Sequence, residues 1–394
     1  MTNTIQPTQD RIIALDSMRG FALCGIIFAN LVSFAGFYSL SLEQIQLLDW
    51  WDRSILFTID FLIEGKFYSV FATLFGMGFA LQYARFKAKH QAFKLFWVRR
   101  MLILMFIGLS HMYFIWHGDI LTLYSLLGLC LLFFSNLNKT ALLRWIVVLL
   151  TLPIAIQIIL IATQQHLFWG ILNDLVINLR HALGYQDISL LQMRTSEHPI
   201  DVFWANVLSA LPRPMSYLKT GRYFQVFGQF LLGVYLVKLY LQERAPLPNV
   251  KTIAALLITG SVLNLAYAYI KAISGTPFSI DTLGLVQGII YHLGCTIMAL
   301  GYLALLYHLW QNKTVLLNLA SLGRMALTVY LMQTSLCVVI FYGYGLGLMG
   351  QVPFYTIVVF GCGILFFQFM FVQIWFNQFR FGPVEYIWRR LGYR

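Results

Sequence analysis

His111 and the Gly118-Asp119 pair fall inside a run that is otherwise apolar from Met101 to Phe134. An ionisable group at that depth in a bilayer has lost its hydration. It must be offset by a partner, a backbone contact or a water-filled cavity, so it marks a candidate functional site. Three chemistries are open to it. A metal site would stack ligands at i, i+4 on one helical face, and positions 111, 117 and 119 do not have that spacing, so no metal is expected. A proton relay would need only titratable neighbours. A general base would need a carboxylate to orient the ring, and Asp119, across the Gly118 break, is the candidate. The non-catalytic alternative is a core histidine bonded to a backbone carbonyl.

Other polar residues repeat the pattern. Asn30 either bridges two helices or faces an oxyanion or substrate. Glu64 and Lys66 either form a salt bridge at a kink or belong to a site. His292 is a further buried candidate. With helices rising about 1.5 Å per residue, Asn30, Glu64, Lys66, His111, Asp119 and His292 all fall in the outer half of their spans. Six polar groups from five helices in one leaflet predict a cavity open to the outer face.

The elements that must hold these residues are membrane helices. With 59% hydrophobic and 11% charged residues and a mean hydropathy of +0.74, the chain has too little polar surface for a water-soluble globule. The expected fold is an all-α, polytopic transmembrane bundle forming one membrane domain over residues 1–394. Apolar windows place about ten spans, near 13–36, 54–84, 101–117, 119–135, 143–162, 223–241, 252–272, 285–308, 325–343 and 354–377. Glu64-Gly65-Lys66 predicts a kink in the second, or a short amphipathic lead-in before it. Residues 11–36 imitate a secretory signal, but Asp16 and Arg19 interrupt the apolar centre, so the helix is expected to be retained.

Most Lys and Arg fall on one side when both termini are cytoplasmic, which commits the topology to N-in, C-in. The largest group is Arg85, Lys87, Lys89, Lys94, Arg99 and Arg100, with no acidic residue between them. It reads as a topology signal touching lipid headgroups, or as a phosphate site for a cosubstrate such as coenzyme A. Asp16, Arg19 and Arg324 sit at helix ends on the same side. The net charge of +12 is therefore assigned to loops and not to nucleic acid. Segment 163–222 is the one long extramembrane stretch, expected as outer-face amphipathic helices between spans five and six, with Pro212 and Pro214 opposing a re-entrant span over 201–218. Gly284-x-x-x-Gly288 offers a close helix contact, including one in a homodimer. The five cysteines have no close spacing and imply neither a disulfide framework nor zinc. Gly345-x-Gly347-x-x-Gly350 is a chance match to the dinucleotide fingerprint, since no βαβ unit surrounds it.

Several segments together resemble the YeiB-like family of bacterial inner-membrane proteins. They are Leu15-Asp16-x-x-Arg19-Gly20 followed by Asn30, Gly65-Lys66-Phe67 leading to Leu74-Phe75-Gly76-x-Gly78, and Arg99-Arg100 before Gly108-x-x-His111. To these are added Trp116-x-Gly118-Asp119-Ile120-Leu121-x-x-Tyr124, Gly323-Arg324-Met325-Ala326-Leu327-Thr328-x-Tyr330-Leu331-x-Gln333 and Phe381-Gly382-Pro383-Val384-Glu385-Tyr386-x-Trp388-Arg389. The family's core is similar to that of transmembrane acyltransferases of the heparan-glucosaminide acetyltransferase type. That likeness implies a multi-pass protein of the bacterial inner membrane that moves an acyl group from cytoplasmic acyl-coenzyme A to an acceptor at the outer face. Asp16, Arg19 and Asn30 match the first-helix pattern of those enzymes, whereas His111 lies in a motif peculiar to the YeiB-like group; the enzyme hypothesis makes His111 the base, Asp119 its orienting carboxylate and Asn30 the oxyanion donor. Asp16, Arg19, Arg99, Arg100 and Arg324 become the cosubstrate site, and Glu64, Lys66, Trp116, His292 and Gln333 the substrate site. The alternatives are a small-molecule or proton-coupled transporter, or a lipid-binding protein without turnover.

Overall fold

Helix breaks fall at glycines, prolines and polar runs, and nearly everything between them is helical. The computed structural model describes residues 9–163, 167–242, 247–274, 278–310 and 314–392. The first half comprises α1 (Gln9–Phe34), α2 (Leu42–Gln46), α3 (Trp50–Leu62), α4 (Lys66–Ala88), α5 (Phe93–Phe114), α6 (Leu121–Phe134) and α7 (Lys139–Thr163). The insertion holds α8 (Leu167–Ala182), α9 (Leu190–Arg194), α10 (Pro199–Ala210) and α11 (Arg213–Lys219). The second half comprises α12 (Arg222–Val237), α13 (Val250–Ser274), α14 (Thr282–Leu309), α15 (Thr314–Arg324), α16 (Ala326–Phe341), α17 (Ile357–Gln378) and α18 (Pro383–Gly392). No strand occurs among the described residues, as the all-α reading expects.

The chain is a membrane protein. Among the described residues, five stretches are long and apolar enough to cross a bilayer: Ile13–Ser39, Lys139–Thr163, Val250–Ser274, Thr282–Leu309 and Phe354–Gln378. The pair Leu316–Arg324 and Ala326–Phe341, bent by 83°, makes a sixth if taken as one span. Ile258, Val262 and Ile273 on α13 and Val359, Phe366 and Ile374 on α17 are exposed, a surface suited to lipid and not to water. Every stretch expected to span is mainly helical, but α6 has 14 residues and α12 has 16, below the ~17–25 that a crossing usually takes.

Close backbone approach sets the register of the inner helices. A Cβ on Gly20 would collide with Leu319 O, and one on Gly323 with Asp16 O, so α1 and α15 touch through glycines placed reciprocally. Gly76 and Gly233 do the same for α4 and α12. The Gly284-x-x-x-Gly288 pair is used within the chain: Gly288 lies under the Gln157 side chain of α7, and Gly284 lies against Ser279. Between α3 and α4 the chain turns at Gly65, whose φ of 82° is open to glycine at little cost. A Cβ there would also lie 2.5 Å from Cys295 Sγ. The second expected span is thus a separate lead-in, α3, followed by α4.

The insertion is helical over its described residues, and none of the helices described there is long enough to cross. It is less peripheral than amphipathic surface helices would be. Val202, Ala205 and Leu208 of α10 are buried, and Asn206 is fully buried. Asn206 Nδ2 donates to Ile115 O at 3.3 Å while its Oδ1 accepts from His117 N at 3.4 Å, which satisfies backbone left open where α5 ends. Asp201 accepts from the hydroxyls of Ser196 at 2.5 Å and Tyr185 at 2.6 Å, and these bonds hold its carboxyl below the usual carboxylate range.

Candidate functional site

A single cavity of about 1410 Å³ runs through the bundle. At the end that the cationic asymmetry assigns to the cytoplasm it is lined by Asp16, Arg19, Arg85, Arg100, Arg324 and Arg389. Midway along α4 it is lined by Phe71, Phe75, Leu104, Tyr124, Leu327 and Tyr330. The far chamber, under the insertion, is lined by Asn30, Glu64, Trp116, Asp119, Arg194, Arg213 and Arg222. Every Lys-or-Arg position on the wall is arginine. Arginine binds carboxylates and phosphates through a planar fork and loses less on desolvation than an ammonium, so the lining suits a molecule with anionic groups and an apolar middle.

The basic mouth is built by the α1–α15 glycine contact and by the C-terminal helix. Arg19 pairs with Asp16 at 2.6 Å. Arg324, one residue after Gly323, lies over Phe376 at 4.3 Å and donates to Arg380 O at 3.3 Å. The Arg100 guanidinium stacks on Trp388 at 3.9 Å and donates to Gln82 Oε1 at 3.1 Å. Arg99, expected beside it, is exposed and off the cavity, because neighbours on a helix point about 100° apart. Glu385 has a role that its place in the tail motif did not reveal. Its Oε1 accepts from Leu327 N at 2.7 Å and Thr328 N at 3.0 Å, and its Oε2 from Thr328 Oγ1 at 2.5 Å. It therefore caps α16 at the sharp bend, where the positive end of the helix dipole favours a carboxylate.

In the far chamber the order of the His111–Asp119 pair is the reverse of the one expected. His111 Nδ1 lies 3.0 Å from Asp119 Oδ1, and Nε2 lies 2.8 Å from Thr334 Oγ1. Both ring nitrogens are engaged, the residue is 1% exposed, and it does not line the cavity. Asp119 does line it, while its Oδ2 accepts from Thr122 N at 2.7 Å and so caps α6. The group facing a ligand is the aspartate, with histidine behind it.

The remaining expected residues divide in two. Asn30 is on the wall and bonds to no described residue, so it does not bridge helices. Glu64 is on the wall, as is Trp116, stacked on Phe34 at 4.8 Å. Lys66 is fully buried off the wall, and the expected pair with Glu64 does not form: Nζ donates to Asp60 O at 2.5 Å. His292 is buried off the wall beside Phe278 and Tyr291. Gln333 is fully buried too, and its Nε2 donates to Leu23 O at 3.2 Å and to Gln368 Oε1 at 3.1 Å. It joins α1, α16 and α17 as interhelical glue.

Several functional candidates went unread in the sequence. Asp60 and Lys271 form a buried pair at 2.6 Å between α3 and α13. Tyr291 donates to Glu64 Oε1 at 3.3 Å, Tyr68 lies 3.2 Å from Tyr291, and Tyr68 donates to Gln225 Oε1 at 3.0 Å. Arg222 lies over the Tyr68 ring at 5.0 Å. Lys271 and Asp60 were visible as charges inside predicted spans. The tyrosines carried no such signal, since aromatic residues are common in any membrane bundle.

Residues 239–394 match the family described as "Protein of unknown function (DUF418)". The chain is 31% identical to the uncharacterized protein YxaH of Bacillus subtilis over 99% of its own length and 97% of that protein. It is 25% identical to the uncharacterized protein YeiB of Escherichia coli over 98% of its length and 97% of that protein. An uncharacterized 39.9 kDa protein of Bacillus acidopullulyticus is similar at 25% identity, over 98% of this chain and 94% of its own. No solved structure matches.

Proposed function

The chain belongs to the YeiB-like, DUF418-containing family of membrane proteins, and from that premise we propose that it is a transmembrane acyltransferase using acyl-coenzyme A. The observation that carries this reading is the one cavity joining an arginine-lined mouth to a polar far chamber through an aromatic waist. Arg19, Arg100 and Arg324 hold the cosubstrate phosphates, with Asp16 fixing Arg19. The acyl chain and the thiol arm lie in the waist. In the far chamber the acceptor's hydroxyl or amine attacks the thioester carbonyl and its proton passes to Asp119. Each carboxylate oxygen of Asp119 accepts one bond from the protein and keeps capacity for another. Asn30 donates to the oxyanion, which collapses to expel the coenzyme A thiolate, and the thiolate takes up the proton that Asp119 accepted, regenerating the base. His111 is a positioning residue for Asp119. Because acyl-coenzyme A is made in the cytoplasm, this reading places the protein in the inner membrane.

Proton-coupled transport is the second reading, favoured by one detail. Neither nitrogen of His111 is free for a ligand, while the cavity touches residues near both faces. Calorimetry on protein in lipid nanodiscs separates the two. Acetyl- or longer-chain acyl-coenzyme A should bind saturably, and Arg100→Glu/Arg324→Glu should weaken it at least ~100-fold, since each charged hydrogen bond is worth roughly 1.5–3 kcal/mol. Arg99→Glu should leave binding unchanged. Absence of binding in folded, lipid-embedded protein would favour transport.

A further inference from the structure

The far chamber contains polar atoms whose bonding is incomplete. Arg222 opens α12, its guanidinium lies over the rings of Tyr68 at 5.0 Å and Tyr217 at 5.5 Å, and no described residue accepts a hydrogen bond from it. One turn on, Gln225 is 1% exposed; its Oε1 is taken by Tyr68, and its Nε2 is buried with no partner. Both residues line the cavity. Across the Tyr68–Tyr291 link, Glu64 gives Oε1 to Tyr291, and its Oε2 is also buried with no partner. Unspent donors and an unspent carboxylate oxygen at this depth would each be costly unless a ligand or water completes them. The donors sit on one side and the acceptor on the other, linked by two hydrogen bonds and, between them, the 3.2 Å contact of the two tyrosine hydroxyls. The start of α12 adds its positive dipole end to the donor side.

We propose that this chamber binds a zwitterionic group, with its anion, phosphate or carboxylate, held by Arg222 and Gln225 and its amine held by Glu64. Resting on the acyl-transfer reading, the amine-bearing molecule is the class from which the acyl acceptor comes. A simple anion would leave Glu64 uncompensated beside it, and a simple amine would leave Arg222 unmet. Tyr68, Tyr291 and Phe278 on the wall supply ring faces that attract an ammonium.

The probe is phosphoethanolamine, compared with glycerol 3-phosphate, which lacks the amine, and with ethanolamine, which lacks the anion, by calorimetry on intact protein in nanodiscs. Phosphoethanolamine should bind at least ~10-fold more tightly than either half. Arg222→Gln should abolish binding of both phosphates. Glu64→Gln should bring phosphoethanolamine down to the level of glycerol 3-phosphate and leave glycerol 3-phosphate no weaker. Arg222→Lys and Glu64→Asp serve if either variant is not monodisperse, the lysine keeping charge while losing the fork. Preference for glycerol 3-phosphate, or equal loss of both phosphates in Glu64→Gln, overturns the proposal.

Nanodiscs of phosphatidylethanolamine and of phosphatidylglycerol identify the source. Competition by the first alone assigns a bilayer lipid headgroup. Competition by neither, with phosphoethanolamine bound as expected, assigns a soluble zwitterion. Acyl-coenzyme A titrated into the same samples separates this proposal from the one it rests on. If phosphoethanolamine binds and acyl-coenzyme A does not, the chamber stands and acyl transfer falls. If acyl-coenzyme A alone binds, the reverse holds.

Discussion

His111→Ala should cost about 3–5 kcal/mol of stability, because it removes one partner of a buried pair and leaves the Asp119 carboxylate without compensation. Thermal unfolding in detergent, followed by intrinsic fluorescence, should show a large fall in midpoint or aggregation before the melt. Thr334 loses its contact with Nε2 in the same step. Asp119→Asn should be milder, since an asparagine can still cap Thr122 and introduces no buried charge. Combining the two should cost much less than their sum, as removing both partners leaves nothing unpaired. A His111→Ala protein of full stability and no acyl transfer would give the histidine back a catalytic role.

The second large effect is expected from Gly323→Ala, although it adds one methyl group. That methyl has no room, because it would collide with the backbone oxygen of Asp16 and not with a side chain that could rotate away. α1 and α15 must separate, at about 1–3 kcal/mol or somewhat more for a rigid contact. Separation moves Asp16 and Arg19 from Arg324, so acyl-coenzyme A binding should fall further than stability alone accounts for. Calorimetry at a temperature where the variant is still folded measures that excess. Gly363→Ala is the control, since a Cβ there meets nothing within 4 Å. If Gly323→Ala binds as well as Gly363→Ala does, the two glycines do not set the mouth.

The helical, membrane-embedded character was legible because hydropathy accumulates over twenty residues and survives error at any one. The break at Gly65 was legible because Glu64 and Lys66 flank the one residue type that adopts its backbone angle cheaply. Which way each side chain faces was not. Lys66, His292 and Gln333 lie in apolar helices as Asn30 does, yet they are buried off the wall, and Lys66 and Gln333 donate to backbone carbonyls there. Arg99 and Arg100 are neighbours in sequence, and only one turns inward. Arg222, Tyr68 and Tyr291 come together from three helices, which no local pattern encodes. The tail motif held a helix cap for α16, about 58 residues earlier in the chain, and the insertion held much of the chamber's charge.

The acyl-transfer reading requires a passage that meets both faces of a bilayer, and such a passage raises the question of voltage. Moving one elementary charge through 100 mV is worth about 2.3 kcal/mol, so an open wet channel would drain the gradient that a bacterial membrane maintains. The cations along this wall are fixed and permanently charged, because arginine does not give up its proton in proteins. Such a lining repels metal cations and hydronium. On the acyl-transfer reading, the composition that would draw in an anionic amphiphile would also insulate the membrane against the ions whose leakage would be most harmful.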